Sequence, residues 1–178
     1  AAIASTSRIE PSQAVSRKRW TDAVISAGHT HQDPHTGDDC GDIAVLVHGY
    51  NTSPGASLSL HRRLSGGLFD AGFRGALVSF DWPSDDRAIN YLEDRTDAKL
   101  TAIRLVDDCI SLLVSARYAR CRINVHVIAH SMGAYVVREA FDDADDRPRL
   151  AENNWTVSQL CLVAGDVSSA SLSAGDAR

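Results

Sequence analysis

The fold is decided by one stretch of the chain, residues 125–133, which reads VHVIAHSMG. Its first five residues are mainly apolar and β-branched, which is typical of a strand covered on both faces. The remaining residues turn the chain into a helix that we expect to run from Met132 to about Phe141. This strand–turn–helix stretch has the form of the G-x-S-x-G serine motif, with Ala129 in place of the first glycine.

Ser131 is the candidate nucleophile of this motif. A tight, strained turn brings the positions two before and two after the serine together, so only small residues fit there, here Ala129 and Gly133. The turn directs Oγ out of the sheet edge at a helix N-terminus, where N–H groups favour a developing negative charge. The alternative is a buried turn serine, which the flanking strand and helix disfavour.

A second signal lies upstream, where the apolar run 43–47 ends in a His-Gly-Tyr-Asn turn. Acyl transfer requires N–H donors for its oxyanion. We expect one donor to be the N–H of Met132 and the other that of Tyr50 or Asn51. Gly49 allows this backbone to approach the substrate closely.

Strands and helices alternate along the rest of the chain. Strands are predicted at residues 43–47, 76–80, 125–129 and 157–164, helices at 54–70, 89–118 and 132–141, and a charged loop at 142–149. Such alternation predicts an α/β fold, a mainly parallel sheet flanked by helices. Residues 1–41 form a polar N-terminal segment that holds a short strand or helix between Ala14 and Ile25 and is otherwise loop; residues 42–178 form the core.

Composition excludes several classes of protein. The net charge of −5 argues against a nucleic-acid partner. No stretch of about 20 apolar residues exists that would span a membrane. The cysteines form no CxxC pair or zinc pattern, so we interpret them as reduced thiols. They are Cys40, Cys109, Cys121 and Cys161.

Residues 43–141, with the motifs LVHGYNT, FDWPS and IAHSMG, resemble the α/β-hydrolase fold. They are especially similar to a family of bacterial α/β-hydrolases once catalogued only as a domain of unknown function. The resemblance implies a Ser…Asp…His order and esterase-like chemistry; we expect this chemistry to need no metal or organic cofactor. In that family an Ala-x-Asp-Val turn follows the next strand, which implies that Asp166 is the acid. A helix-capping or loop aspartate is the alternative at Asp166, and Asp81 is a weaker candidate acid.

The family's general base follows the acid, but every histidine of this chain precedes Ser131. The histidines are His29, His31, His35, His48, His61, His126 and His130. We expect His130 to point away from Ser131, His126 to pack in the core and His48 to brace the oxyanion loop. The three N-terminal histidines fit a solvated loop better than a metal site, because their spacing matches no standard site.

The base is therefore expected outside this chain, which alone should have little activity because a serine without a base is a poor nucleophile. The chain is then a fragment lacking the last strands and helix of the fold, one half of a complemented pair, or an inactive scaffold. A complementing chain or oligomer would cover the open sheet edge.

The leading hypothesis is a serine hydrolase acting on small carboxylic esters or related acyl groups. Asn51 is expected to bind substrate, and Trp82 and Tyr50 to line its pocket. The runner-up is a non-catalytic binding module on the same scaffold. The compartment stays open, with the bacterial cytoplasm as the default expectation.

Overall fold

The computed structural model describes residues 8–82, 100–115, 121–145 and 157–168. Within these ranges five strands form one sheet. The strands are β1 His29–Gln32, β2 Asp39–Val47, β3 Ala76–Phe80, β4 Cys121–His130 and β5 Gln159–Val163. The α-helices are α1 Arg17–Gly28, α2 Pro54–Asp70, α3 Ser111–Ser115 and α4 Met132–Asp145, and a π-helical segment Leu105–Ile110 leads into α3.

The described strands all pair in parallel except β1 with β2. Strand β4 pairs along the whole of β2, while β3 pairs with residues 43–47 of β2 and β5 with the end of β4, all in parallel. Strand β1 runs antiparallel to the first residues of β2. Because β4 occupies one side of β2 throughout, β1 and β3 share the other side. The predicted α/β fold with a mainly parallel sheet is confirmed.

The two faces of the sheet carry different helices. Val45 and Val47 are fully buried in a hydrophobic core that includes residues of α1, the π-helical segment, α3 and α4. On the opposite face, His61 of α2 contacts the hydroxyl of Ser79, with 2.7 Å between Nδ1 and Oγ. Since successive residues of a strand point to opposite faces, α2 lies across the sheet from the other helices.

Several predicted boundaries are confirmed, and others are wrong. Helix α2 and strand β3 have the predicted bounds, but β3 is half-buried rather than buried. Strand β2 begins at Asp39, because residues 39–41 find hydrogen-bonding partners in both β1 and β4. Helix α4 continues to Asp145, so the first residues of the predicted charged loop are helical.

The N-terminal segment holds more regular structure than predicted. Helix α1 falls on the predicted short element, but residues 29–32, predicted as loop, form β1. The division of the chain at residue 42 stays a prediction. Outside the described residues lie parts of the predicted 89–118 helix, the rest of the charged loop and the tail after residue 168.

Candidate active site

Backbone strain is concentrated near the carboxyl ends of the parallel strands. In the described part of the chain, three non-glycine residues have left-handed φ angles: Asn51 at 52°, Ser131 at 53° and Ala164 at 47°. Asn51 follows β2 by four residues, while Ser131 and Ala164 directly follow β4 and β5. Such conformations cost on the order of 1–3 kcal/mol each and cluster at functional sites. This edge is also where open α/β sheets bind ligands.

Ser131 occupies the single turn residue between β4 and α4. The predicted strained backbone is confirmed, and the residue is partly exposed. Its backbone is fixed on both sides: the N–H donates to Val163 O at 3.0 Å, and the carbonyl accepts from Ala134 N at 2.9 Å and Asp166 N at 3.0 Å. Among the described residues, none forms a hydrogen bond with Ser131 Oγ.

The loop after β2 lies directly against this turn. A methyl group at Gly49 would stand 2.9 Å from Ser131 Cβ and 3.1 Å from His130 O. One at Gly133, in the first turn of α4, would stand 2.4 Å from Val47 O. Both glycines therefore let the β2 loop approach the start of α4. The oxyanion roles of Tyr50 and Met132 stay predictions.

His48 is buried beneath the loop, with only 1% of its surface exposed. Its Nδ1 lies 2.9 Å from Gly49 O, and its Nε2 lies 2.9 Å from Asp81 Oδ1 and 3.3 Å from the Trp82 backbone nitrogen, which donates to it. The ring stacks on Trp82 with 5.6 Å between centroids. Since both ring nitrogens are engaged, His48 braces the loop, as predicted, and does not face Ser131 as a base.

The remaining predicted site residues differ in how far they are buried. Met132 buries its side chain in the core, Tyr50 is half-buried and Asn51 is exposed. Trp82 is 3% exposed and donates from Nε1 to His48 O at 2.9 Å, so its contacts are with the core beneath the loop. Its substrate-binding role stays a prediction.

Asp166 follows β5 by three residues, is exposed, and donates its backbone N–H to Ser131 O at 3.0 Å. This position is compatible with the predicted acid role, which stays a prediction. Asp81, the weaker candidate acid, pairs with His48.

The other histidines form no metal centre in the described ranges, where no group of three or more His, Cys, Asp or Glu is arranged to bind an ion. His126 is partly buried rather than fully packed, and its Nε2 lies 2.9 Å from Asp42 Oδ1. His130 is exposed. The structure places its Nδ1 beside Gly49, since a methyl at Gly49 would stand 3.2 Å from it. The expectation that it points away from Ser131 stays a prediction.

A large cleft lies elsewhere. About 770 Å³ opens between the N-terminal segment, the outer strand β3 and the helical residues 108–112. Its walls are mainly apolar, and none of the predicted site residues lines it. The large apolar side chains that line it are Ile9, Val15, Trp20, Val78, Phe80 and Leu112.

Two features of the site were not anticipated from the sequence. The pairing of His48 with Asp81 spans 33 residues, although both belong to motifs that sequence reasoning singled out, at the ends of adjacent strands. The left-handed Ala164 had no signal, since alanine does not favour that conformation.

No helix in the described part of the chain is long and apolar enough to cross a membrane. The chain is 30% identical to the uncharacterized protein alr1448 of Nostoc sp. (strain PCC 7120) over an alignment of 110 residues. The alignment covers 52% of this chain and 28% of that relative, so the chain corresponds to a small part of the relative's length. No solved structure matches. Residues 28–175 match the family described as alpha/beta hydrolase of unknown function (DUF900). This match covers most of the chain and includes every strand of the sheet, and the chain therefore belongs to that family of α/β-hydrolases.

Proposed function

We propose that the chain carries the nucleophile of a serine hydrolase that acts on carboxylic esters or related acyl groups. The observation that supports this most is the left-handed Ser131, partly exposed between a buried parallel strand and a helix in an α/β-hydrolase. Strained backbone conformations of this kind cluster at functional sites, which supports a role in chemistry for Ser131.

In the proposed reaction, Ser131 Oγ attacks the carbonyl carbon and gives its proton to a histidine outside these 178 residues. The N–H groups of Met132 and Tyr50 stabilise the oxyanion. The tetrahedral intermediate collapses, the alcohol leaves with that proton, and water hydrolyses the acyl-enzyme. Asp166 orients the histidine. Asn51 and Trp82 flank the loop that contacts the acyl group, and the chemistry requires no metal or organic cofactor.

An assay with a p-nitrophenyl ester of a short acid tests this proposal. The complete gene product should turn over the ester and lose that activity on Ser131→Ala, while the isolated 178-residue chain should hydrolyse it only slowly, since no histidine of the chain follows Ser131 and no described residue hydrogen-bonds its Oγ. Strong Ser131-dependent turnover by the isolated chain would contradict an external base and make His130, beside Gly49, the first suspect.

A binding module on the same scaffold is the second candidate. It is favoured by one observation, that no described residue hydrogen-bonds Ser131 Oγ. A complete gene product that binds acyl esters but releases no alcohol, and that binds them equally well after Ser131→Ala, would support this candidate over the hydrolase.

A further inference from the structure

The Gly49 carbonyl is held from two sides. Thr52 Oγ1 donates to Gly49 O at 2.9 Å, and His48 Nδ1 lies 2.9 Å from the same oxygen. The described part of the chain contains no cis peptide bond. In a trans peptide the C=O and the following N–H point in opposite directions. The two contacts with Gly49 O therefore also fix the direction of the Tyr50 N–H.

His48 itself is immobilised by its surroundings. Its ring is stacked on Trp82 with an interplanar angle of 12°, and its own carbonyl accepts the indole N–H. A proton on Nδ1 is donated to Gly49 O, while Nε2 faces Asp81 Oδ1 at 2.9 Å and the backbone nitrogen of Trp82 at 3.3 Å. The ring cannot rotate away from Gly49 without breaking these contacts.

We propose that His48 and Thr52 are positioning residues that hold the Tyr50 N–H directed at the oxyanion. This inference rests on the proposed function. Gly49 brings the loop against Ser131, and the contacts with His48 and Thr52 hold the Gly49 carbonyl in one direction. A donor fixed in advance stabilises the transition state without reorganising during the reaction, which is how oxyanion donors contribute to rate.

Thr52 offers the cleaner test, because valine matches its shape and serine keeps its hydroxyl. In the complete gene product, Thr52→Val should lower kcat on the order of 10–100-fold with KM within about twofold, as expected when a transition-state donor is misdirected. Thr52→Ser should retain most of kcat. Equal kcat for the two variants, or a loss confined to KM, would overturn the proposal.

His48 offers a second matched pair. Asparagine places an amide near the position of Nδ1 and keeps a donor for Gly49, whereas glutamine places one near Nε2 and keeps the contact with Asp81. Both variants lose the stack on Trp82. Among folded variants, His48→Asn should keep a higher kcat than His48→Gln; the reverse order would overturn the role of Nδ1. If both fail to fold, the Thr52 pair decides.

The Ser131→Ala variant separates the two possible failures. If that variant remains active, the proposed function fails. If it is inactive while Thr52→Val matches the wild type, only the positioning role fails. Affinity for a boronic acid, which mimics the tetrahedral intermediate, should fall in Thr52→Val in parallel with kcat. A fall in the melting temperature of Thr52→Val with unchanged kcat would show that Thr52 has only a structural role.

Discussion

At the scale of single residues, the left-handed φ of Ser131 makes a prediction about stability. Glycine adopts this conformation freely, whereas alanine retains the strain. Ser131→Gly should therefore exceed Ser131→Ala in free energy of unfolding by about 1 kcal/mol, even though glycine costs more entropy in most positions. Urea denaturation of both variants measures the difference. A more stable alanine variant would show that the turn is not strained.

Gly49 should also be important for activity. A methyl group there meets Ser131 Cβ at 2.9 Å, a contact that must displace the loop or Ser131. We expect Gly49→Ala to lower kcat at least about tenfold, because a misplacement of about 1 Å can cost roughly a hundredfold. Gly55→Ala, where no atom lies within 4 Å of the added methyl, is the matched control and should match the wild type. Equal activities of Gly49→Ala and Gly55→Ala would show that the β2 loop is not part of the site.

At the scale of elements, the glycines of α2 and α4 should respond in opposite directions. Gly66 and Gly67 are exposed within α2 with open space around an added methyl, so alanine at either should stabilise the protein by about 0.4–1 kcal/mol. Gly133→Ala would press on two backbone carbonyls, those of Val47 and His48, and should destabilise it by about 1–3 kcal/mol. Melting temperatures of the variants show whether each substitution raises or lowers stability. A stable Gly133→Ala variant would contradict the close packing of α4 on β2.

The sequence predicts elements well where hydrophobic patterning is strong. Residues 76–80 and 54–70 have the predicted bounds because apolar runs, Pro54 and Gly72 mark them. Asp39–Gly41 were missed because polar residues carry the start of β2, where pairing with two neighbouring strands decides the structure. Likewise, the strained turn at Ser131 was predictable from its motif. The contact between His48 and Asp81 was not, because it depends on which strands become neighbours.

At the scale of the whole molecule, stability should depend on pH through His61. Burial, and secondarily the charge of Arg62, lower the pKa of His61 below its ordinary value of 6.5. Between the lowered pKa and 6.5 the unfolded chain binds more protons than the folded one, so the stability contribution present above pH 6.5 is lost as the pH falls. Compared with His61→Asn, the wild type should lose more free energy of unfolding between about pH 7 and pH 5. If the difference in free energy of unfolding between the wild type and His61→Asn does not change with pH, the contribution of His61 is contradicted.

The thiols should report which surfaces are covered. Burial, and secondarily the Asp108 charge, raise the pKa of Cys109 to about 12, so its thiol is protonated and enclosed at neutral pH. Cys161 is exposed on β5, which borders the described sheet together with the exposed Leu160 and Val163. In the native 178-residue chain, iodoacetamide should modify Cys161 well before Cys109, as peptide mass spectrometry would show. Rapid modification of Cys109 would contradict its burial.

The same reagent tests the prediction that another strand or chain covers β5. Cys161 should be protected in the complete gene product if its further residues pair with β5, and unprotected if they do not. Equal modification rates in the two forms would leave the β5 edge open and would count against a complementing segment at this position.

Covalent labelling of the nucleophile tests the central claim most directly. The complete gene product is treated with a fluorophosphonate, which reacts with activated serines, and the modified peptide is identified by mass spectrometry. The predicted result is one adduct per chain at Ser131, absent from the Ser131→Ala variant together with ester hydrolysis. An adduct at another serine, or hydrolysis that survives in Ser131→Ala, would contradict the assignment of Ser131 as the nucleophile.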